Sequence, residues 1–214
     1  MNESQQPPRT CHYFVDETGD GTLFNKRKQI VVGREGCSHC FILGVLEVAN
    51  PVGLDQELEL LRSTLLADPY LAKVPSMQPE RRKTAIAFHA KDDCAEVRRE
   101  VYRLLMEHDV RFFAVVRHKR TIVEKVLEHN KTHPGYRYHP NQLYDRCVSR
   151  LFRDRLHKED SYVIKFSRRG NRSRTEALGN AIAQARNNLR LKWGISAAAP
   201  IEVIAAMPSG EGGL

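Results

Sequence analysis

The chain has no long apolar run, few aromatic residues and only five cysteines. No stretch approaches the roughly 18 consecutive apolar residues of a transmembrane helix, and the polar start, residues 1–9, has no apolar signal-peptide core. An odd number of scattered cysteines excludes a disulfide framework and favours a reducing compartment. We therefore expect a cytoplasmic protein with no membrane partner.

The size and composition of the chain favour one globular domain. Its 214 residues are 41% hydrophobic and 28% charged, and a chain of this length can bury roughly 70% of the surface that it exposes when unfolded. We found no internal repeat and no linker. The sequence therefore predicts a disordered segment over residues 1–10 and a single domain over residues 11–214.

The positive charge is concentrated in one region of the sequence. The formal net charge is +8, and residues 146–192 hold 13 Lys or Arg against 4 Asp or Glu, whereas the remainder holds 21 against 22. Such an excess suits a phosphate-rich partner, because neutralising phosphates releases condensed counterions. The alternative is a basic helix surface that is simply solvated.

An acidic segment follows a short apolar strand near the start of the chain. Asp16, Glu17 and Asp20 accompany Gly19 at this point. Hard cations such as Mg²⁺ or Mn²⁺ prefer oxygen ligands on a rigid element, so the three carboxylates are candidate metal ligands. Only one of Asp16 and Glu17 would point inward from a regular strand. The alternative is a solvated acidic turn in which the glycine supplies a permissive backbone.

Apolar periodicity predicts a mixed α/β fold. Three apolar runs predict strands of an antiparallel meander, over residues 11–15, 29–33 and 41–48. Later strands are predicted over residues 110–116, 162–166 and 201–205. Helical spacing predicts four helices: one after Pro51, one over residues 97–105 with Asp92 or Asp93 as N-cap, one starting at Asn141, and one from a Ser173–Glu176 capping box to about residue 189.

The segment Phe14-Val15-Asp16-Glu17-Thr18-Gly19 resembles the Asp-Glu-Ser-Gly signature of the domain-of-unknown-function 3800 family, with Thr18 in place of Ser. Further similarity lies in Phe41-Ile42-Leu43-Gly44, Phe88-His89-Ala90, Asn141-Gln142-Leu143-Tyr144-Asp145 and Phe166-Ser167-Arg168-Arg169-Gly170. The resemblance implies a ribonuclease H-like fold, in which an antiparallel meander is followed by alternating helices and strands.

The resemblance also implies a metal-dependent nuclease that cuts DNA or RNA with two Mg²⁺ or Mn²⁺ ions. Asp16 matches the first-strand aspartate of such enzymes, and Glu17 and Asp145 are further candidate catalytic residues. Two acids of the family pattern have no match: none follows the strand over residues 162–166, and Leu214 stands where the last acidic segment would begin. Either the domain is truncated at its C-terminus or the last ligand is absent.

Four arginines crowd one predicted strand-to-helix loop. Arg168, Arg169, Arg172 and Arg174 lie beside Gly170, where guanidinium groups and free backbone N–H donors together favour phosphate. We expect this loop to bind nucleic acid. The alternative functions are a catalytically inactive nucleic-acid-binding or regulatory domain, and a protein-interaction component of a bacterial defence or mobile-element system.

Overall fold

The computed structural model describes residues 8–167 and 174–205. Five strands and five α-helices are assigned there, in the order β1 (Thr10–Thr18), β2 (Cys40–Val48), α1 (Pro51–Ala67), α2 (Ala95–Glu107), β3 (Val110–His118), α3 (Lys119–Thr132), α4 (Pro140–Leu151), β4 (Ser161–Phe166), α5 (Thr175–Trp193) and β5 (Ile201–Ala205). Two short 3₁₀ helices, Pro75–Met77 and Pro79–Arg81, lie between α1 and α2 in the sequence.

The five strands form one mixed sheet in the order β3-β2-β1-β4-β5. Strands β1 and β4 run parallel, with Val15 opposite Phe166, and β4 and β5 also run parallel, with Tyr162 opposite Ile201. Because neighbouring parallel strands cannot be joined by a tight turn, β4 and β5 need a crossover connection, and α5 provides it. The prediction of a mixed α/β sheet with helices is confirmed, and its assignment to the ribonuclease H-like folds stays a prediction.

The chain divides into two compact units, which we describe separately. Among the described residues, unit 1 comprises 8–46, 112–167 and 174–205, and unit 2 comprises 47–111. The core of unit 2 is small, consisting of Leu71, Met77 and Val97 with partly buried neighbours. The prediction of one domain over residues 11–214, preceded by a disordered segment over 1–10, stays a prediction.

Strand alternation determines which side chains enter the core of unit 1. Tyr13 and Val15 of β1, and Ile164 of β4, are buried beside apolar residues of α3, α4 and α5. Leu178 and Ala185 show how α5 turns one apolar stripe toward this core. The intervening residues of each strand therefore lie on the opposite face of the sheet.

The predicted antiparallel meander is wrong in its middle strand. Residues 29–33 form no strand, and Ile30 makes only an isolated antiparallel bridge with Phe24. The backbone has positive φ at both ends of this run, 61° at Lys28 and 89° at Gly33, and turns of this kind interrupt an extended strand. Strands β1 and β2 are direct neighbours instead, and β3, far along the chain, lies on the other side of β2.

The helices differ from the prediction at their starts. Helix α4 begins at Pro140, with the His139 side chain accepting a hydrogen bond from the Asn141 N–H, so His139 rather than Asn141 is the cap. Helix α2 begins after Cys94 without a side-chain cap. Ser173 of the predicted capping box lies outside the described residues. Within the described ranges, every helix is too short or too polar to cross a lipid bilayer.

Asp93 has a structural role in unit 2 instead of capping α2. Its buried carboxylate accepts hydrogen bonds from Thr84 Oγ1 at 2.7 Å and from the His89 N–H at 2.9 Å. Asp92 accepts a hydrogen bond from Lys83 Nζ at 2.7 Å. This hydrogen bond is the main cause of the lowered pKa of Asp92. Both acids therefore hold the loop before α2 in place.

Candidate functional site

The acidic turn after β1 is held against the start of β2 by a glycine. Gly19 has a φ of 75°, and a Cβ atom at this position would lie 2.3 Å from the Cys40 carbonyl oxygen. Only glycine satisfies both constraints, because it tolerates positive φ and has no side chain to collide with the neighbouring backbone. The backbone of the turn between β1 and Asp20 therefore packs directly against the backbone at the start of β2.

Asp16 and Glu17 point to opposite faces of the sheet. Both belong to β1, where Tyr13 and Val15 are buried, so alternation places Glu17 on their face and Asp16 on the other. Asp16 is exposed and Glu17 is half-buried. The two neighbouring carboxylates therefore cannot converge on one cation while β1 keeps its regular pleat.

Asp20 forms an ion pair with a lysine that the sequence did not single out. Lys119, the first residue of α3, has a fully buried side chain, and its Nζ lies 3.0 Å from Asp20 Oδ2 and 3.7 Å from Cys37 Sγ. Burial raises the pKa of Asp20, but the hydrogen bonds from Lys119 and Thr22 outweigh it and leave that pKa lowered. Asp20 thus neutralises a buried ammonium group.

The described residues do not fit a two-ion metal centre. Nowhere in 8–167 and 174–205 do three His, Cys, Asp or Glu side chains come together as a group that could hold a metal ion. Two of the predicted ligands face away from each other and the third, Asp20, is paired with a cation. Asp16 remains an exposed carboxylate without a hydrogen bond or ion pair to any described side chain.

The predicted catalytic Asp145 is paired with one of the predicted nucleic-acid-binding arginines. Arg174 Nη2 lies 2.5 Å from Asp145 Oδ1, and its guanidinium group lies 5.2 Å from the Tyr144 ring centroid. The Arg174 side chain is only 12% exposed, and its Nη1 atom is buried without a hydrogen-bond partner among the described residues. Arg168, Arg169 and Arg172 lie outside the described residues.

A basic cleft lies between α3, α4 and α5 in unit 1. Its volume is about 950 Å³, and its lining includes five cationic side chains, Arg117, Lys125, Arg146, Arg150 and Arg153. None of the five forms an ion pair with a carboxylate among the described residues. Asp145, which also lines the cleft, is already neutralised by Arg174. The cleft therefore concentrates uncompensated positive charge in a concave surface.

Sequence reasoning found only part of this cleft. Arg146, Arg150 and Arg153 belong to the basic region 146–192, but Arg117 comes from β3 and Lys125 from α3. Their convergence depends on how α3 packs. The apolar residues Ile122, Val123 and Val126 of α3 are buried, and their helical spacing was the signal that could have predicted this helix.

The solved structures to which the chain is similar share little sequence identity with it. No protein-family model and no curated protein matches the chain. A chain of the PCNA:RNase HII complex from Archaeoglobus fulgidus is similar at 11% identity and TM-score 0.43, over 92% of this chain. Ribonuclease H2 from Pyrococcus horikoshii OT3 is similar at 12% identity and TM-score 0.38, over 93% of this chain.

The present chain spans 63% of the length of each of these structures. At such low identity and TM-score, the likeness carries no information about activity, ligand or partner. The resemblance to the domain-of-unknown-function 3800 family stays a prediction. Function must therefore be inferred from the side chains of this protein.

Proposed function

We propose that this protein is a nucleic-acid-binding domain and that the cleft between α3, α4 and α5 contacts the phosphate backbone. The observation that carries this proposal is the set of five cationic side chains that line the cleft without a described carboxylate partner. A polyanion would supply the missing negative charge and release its own counterions.

The chemistry of the lining supports phosphate over a simple carboxylate ligand. Four of the five cations are arginines, whose planar fork of N–H donors matches phosphate oxygens. Several cations in one concave surface also focus the electrostatic field and raise the local concentration of an anionic partner. An acidic protein surface is the rival partner, and it corresponds to the protein-interaction alternative.

Salt-dependent binding of an oligonucleotide tests the proposal. We expect the affinity of a labelled oligonucleotide to fall linearly on a log–log plot against salt concentration. The double variant Arg146→Ala/Arg150→Ala should reduce that slope by about 1.4 for a single strand, or by about 1.8 for a duplex, because two phosphate contacts are lost. Both arginines are exposed, so the substitutions should leave folding intact.

A matched control removes two positive charges elsewhere in unit 1. Lys26 and Arg27 are exposed and do not line the cleft, so Lys26→Ala/Arg27→Ala should leave the slope within experimental error of the wild-type value. An equal loss of slope in both double variants would show that binding follows net charge and does not use the cleft. No binding at low salt would reject the proposal and favour a protein partner.

Metal-dependent phosphodiester hydrolysis is the second candidate function. It is supported by the exposed Asp16 carboxylate at the end of β1, close to the end of the parallel strand β4, where the Ser167 N–H donates to the Val15 carbonyl at 2.9 Å. The ends of adjacent parallel strands meet at one sheet edge, which is a common place for ligand-binding groups. A complete set of ligands would need acids from outside the described residues.

A cleavage assay separates this candidate from binding alone. The purified chain is incubated with single- and double-stranded oligonucleotides and with Mg²⁺ or Mn²⁺. If Asp16 takes part, Asp16→Asn should abolish cleavage, whereas Glu35→Gln, which alters another exposed carboxylate of unit 1, should not. Cleavage that survives Asp16→Asn would point to another site or to a contaminant.

A further inference from the structure

We infer that the cleft binds an unpaired strand of nucleic acid, with its phosphates along α4 and its base edges along α5. This inference rests on the proposed function and adds the class of ligand. Three observations carry it: a row of arginines on and just after one helix, a row of amides on a second helix, and tyrosine and histidine rings at the loop end of the cleft.

The arginine row follows one side of α4 and continues just beyond its end. Arg146, Arg150 and Arg153 all line the cleft. Arg146 and Arg150 are four residues apart on α4, a spacing that places them on one face about 6 Å apart along the axis, and Arg153 follows in the turn after Leu151. Successive phosphates of an extended strand could therefore each meet one guanidinium group.

The innermost member of this row has an unused donor. Arg153 is half-buried, and its Nε atom is buried without a hydrogen-bond partner among the described residues. Leaving a buried N–H donor of a charged group unsatisfied is costly. An anionic oxygen in the cleft would satisfy it once the side chain turns Nε toward the ligand.

The amide row lies on α5, which forms the other side of the cleft. Asn180, Gln184 and Asn188 line it at intervals of four residues, and Gln184 Nε2 donates to Asn188 Oδ1 at 2.9 Å. The Asn180 side chain has no hydrogen-bond partner among the described residues. Side-chain amides carry both donors and acceptors, as do the edges of nucleobases, and they do not neutralise phosphate.

Aromatic rings lie at the loop end of the cleft. Tyr138 and Tyr136 both line it, and the Tyr138 hydroxyl donates to the Gly21 carbonyl at 2.7 Å, which anchors that ring. The Tyr136 hydroxyl donates to Gln142 Oε1 at 3.0 Å, and the Tyr136 ring meets the His129 ring edge-on at 4.8 Å. Rings of this kind provide faces on which unpaired bases stack.

The dimensions of the cleft favour a single strand over a duplex. A volume of about 950 Å³ is that of a ligand pocket and holds a few nucleotides at most. In a duplex the base edges that pair are buried between the strands, whereas an unpaired strand can turn its bases into a cleft while its phosphates remain on the arginine side. The two facing rows are consistent with that arrangement.

Fluorescence anisotropy with four labelled probes tests the inference. The probes are a mixed-sequence single-stranded DNA 12-mer, the RNA strand of the same sequence, the corresponding DNA duplex, and an abasic single strand of the same length. We expect each base-bearing single strand to bind roughly tenfold or more tightly than the duplex and the abasic strand, since base contacts of this kind are worth that much.

Two double variants distinguish the rows. Asn180→Ala/Gln184→Ala should weaken binding of the base-bearing strands several-fold, leave the salt slope unchanged, and leave the abasic strand unaffected. Arg146→Ala/Arg150→Ala should instead lower the salt slope by about 1.4 for every single strand, the abasic strand included. Both pairs of side chains are exposed, and circular dichroism checks that the variants fold.

The outcomes separate this inference from the proposed function. Duplex binding as tight as single-strand binding, with the arginine variant still impaired, would overturn the single-strand assignment and leave nucleic-acid binding intact. Equal binding of abasic and base-bearing strands would overturn the role of the amide row. Failure of all four probes to bind at low salt would reject both proposals.

Discussion

The ion pair between Asp20 and Lys119 leads to an asymmetric prediction about stability. Removing the acid leaves an ammonium group that is fully buried, whereas removing the lysine leaves a carboxylate that is 52% exposed and can be hydrated. We therefore expect Asp20→Ala to lower the free energy of unfolding far more than Lys119→Met does, although both substitutions break the same contact.

The expected magnitude follows from the geometry of the pair. For unit charges 3.0 Å apart, Coulomb's law gives about 5.5 kcal/mol at an effective dielectric constant of 20 and about 1.4 kcal/mol in bulk water. Half of the carboxylate is solvated, which discounts the upper figure, so we expect Asp20→Ala to cost about 2–3 kcal/mol. Lys119→Met, which keeps the buried volume apolar, should cost about 1 kcal/mol or less.

A double-mutant cycle followed by urea unfolding measures this difference. Asp20→Ala/Lys119→Met should recover most of the stability that Asp20→Ala loses, because the second substitution removes the stranded charge and leaves only the hydrogen bond from the Thr22 N–H missing. Glu128→Ala, which breaks the exposed pair with Lys131, is the control and should cost about 0.5 kcal/mol or less. Equal costs for Asp20→Ala and Lys119→Met would refute the reasoning.

The contribution of Asp20 should also depend on pH. Its pKa in the folded protein is lowered from the ordinary value of 3.8. The stabilisation is therefore fully present above the pKa of the unfolded chain and is lost as the pH falls through the lower folded value. The difference in stability between the wild type and Asp20→Ala should shrink below about pH 4, in urea unfolding repeated across this range.

Three further predictions concern other parts of unit 1. Gly19→Ala should lower the free energy of unfolding, measured in urea, by at least about 2 kcal/mol. Gly36→Ala should cost less, because the two glycines share nearly the same φ but only Gly19 has neighbouring backbone within contact distance of an added Cβ atom. Equal costs would contradict this reasoning. Burial raises the pKa of the Cys147 thiol to about 11, so the native protein should resist iodoacetamide at Cys147 at pH 8, as measured by mass spectrometry against urea-unfolded chain. Arg174→Ala should change the salt slope of oligonucleotide binding by much less than the roughly 0.7 expected per phosphate contact, since the side chain is only 12% exposed and its charge is already paired with Asp145. A full loss of roughly 0.7 would contradict this expectation.

The sheet was largely predictable because its strands are rich in β-branched and aromatic residues. β3 and β4 were found at nearly their observed bounds. The run over residues 29–33 has the same composition, but positive φ at its flanks turns it away from the sheet. Composition reports the preference for extended backbone, whereas pairing depends on long-range geometry that a local pattern does not contain.

Helix α3 was missed because its apolar residues are few, mostly β-branched and surrounded by charges. Ile122, Val123 and Val126 occupy one face, and the remaining positions are mostly polar. Without α3 the cleft has no third side, so Lys125 could not be placed near Arg150 from the sequence. The basic region 146–192 was visible as a charge excess, but its concave shape was not.

In the acidic segment, the residue types and the observed geometry lead to different conclusions about the site. Residue identity suggested that Asp16, Glu17 and Asp20 would act together. Alternation along β1 sends the first two to opposite faces, and the buried Lys119 engages the third. The alternation could be predicted from the sequence, whereas the lysine lies 99 positions away and could not.

The central position of β1 in the sheet should make amide exchange along this strand slow. This strand has a hydrogen-bonded neighbour on each side, β2 and β4, so its amide protons should exchange with solvent only when unit 1 opens as a whole. Asp16 should thus lie on one of the slowest-exchanging strands of the sheet, and the turn after Gly19 is tied to the same unit by the pair between Asp20 and the buried Lys119. Any ligand that meets this carboxylate encounters a fixed point and not one that must first be ordered.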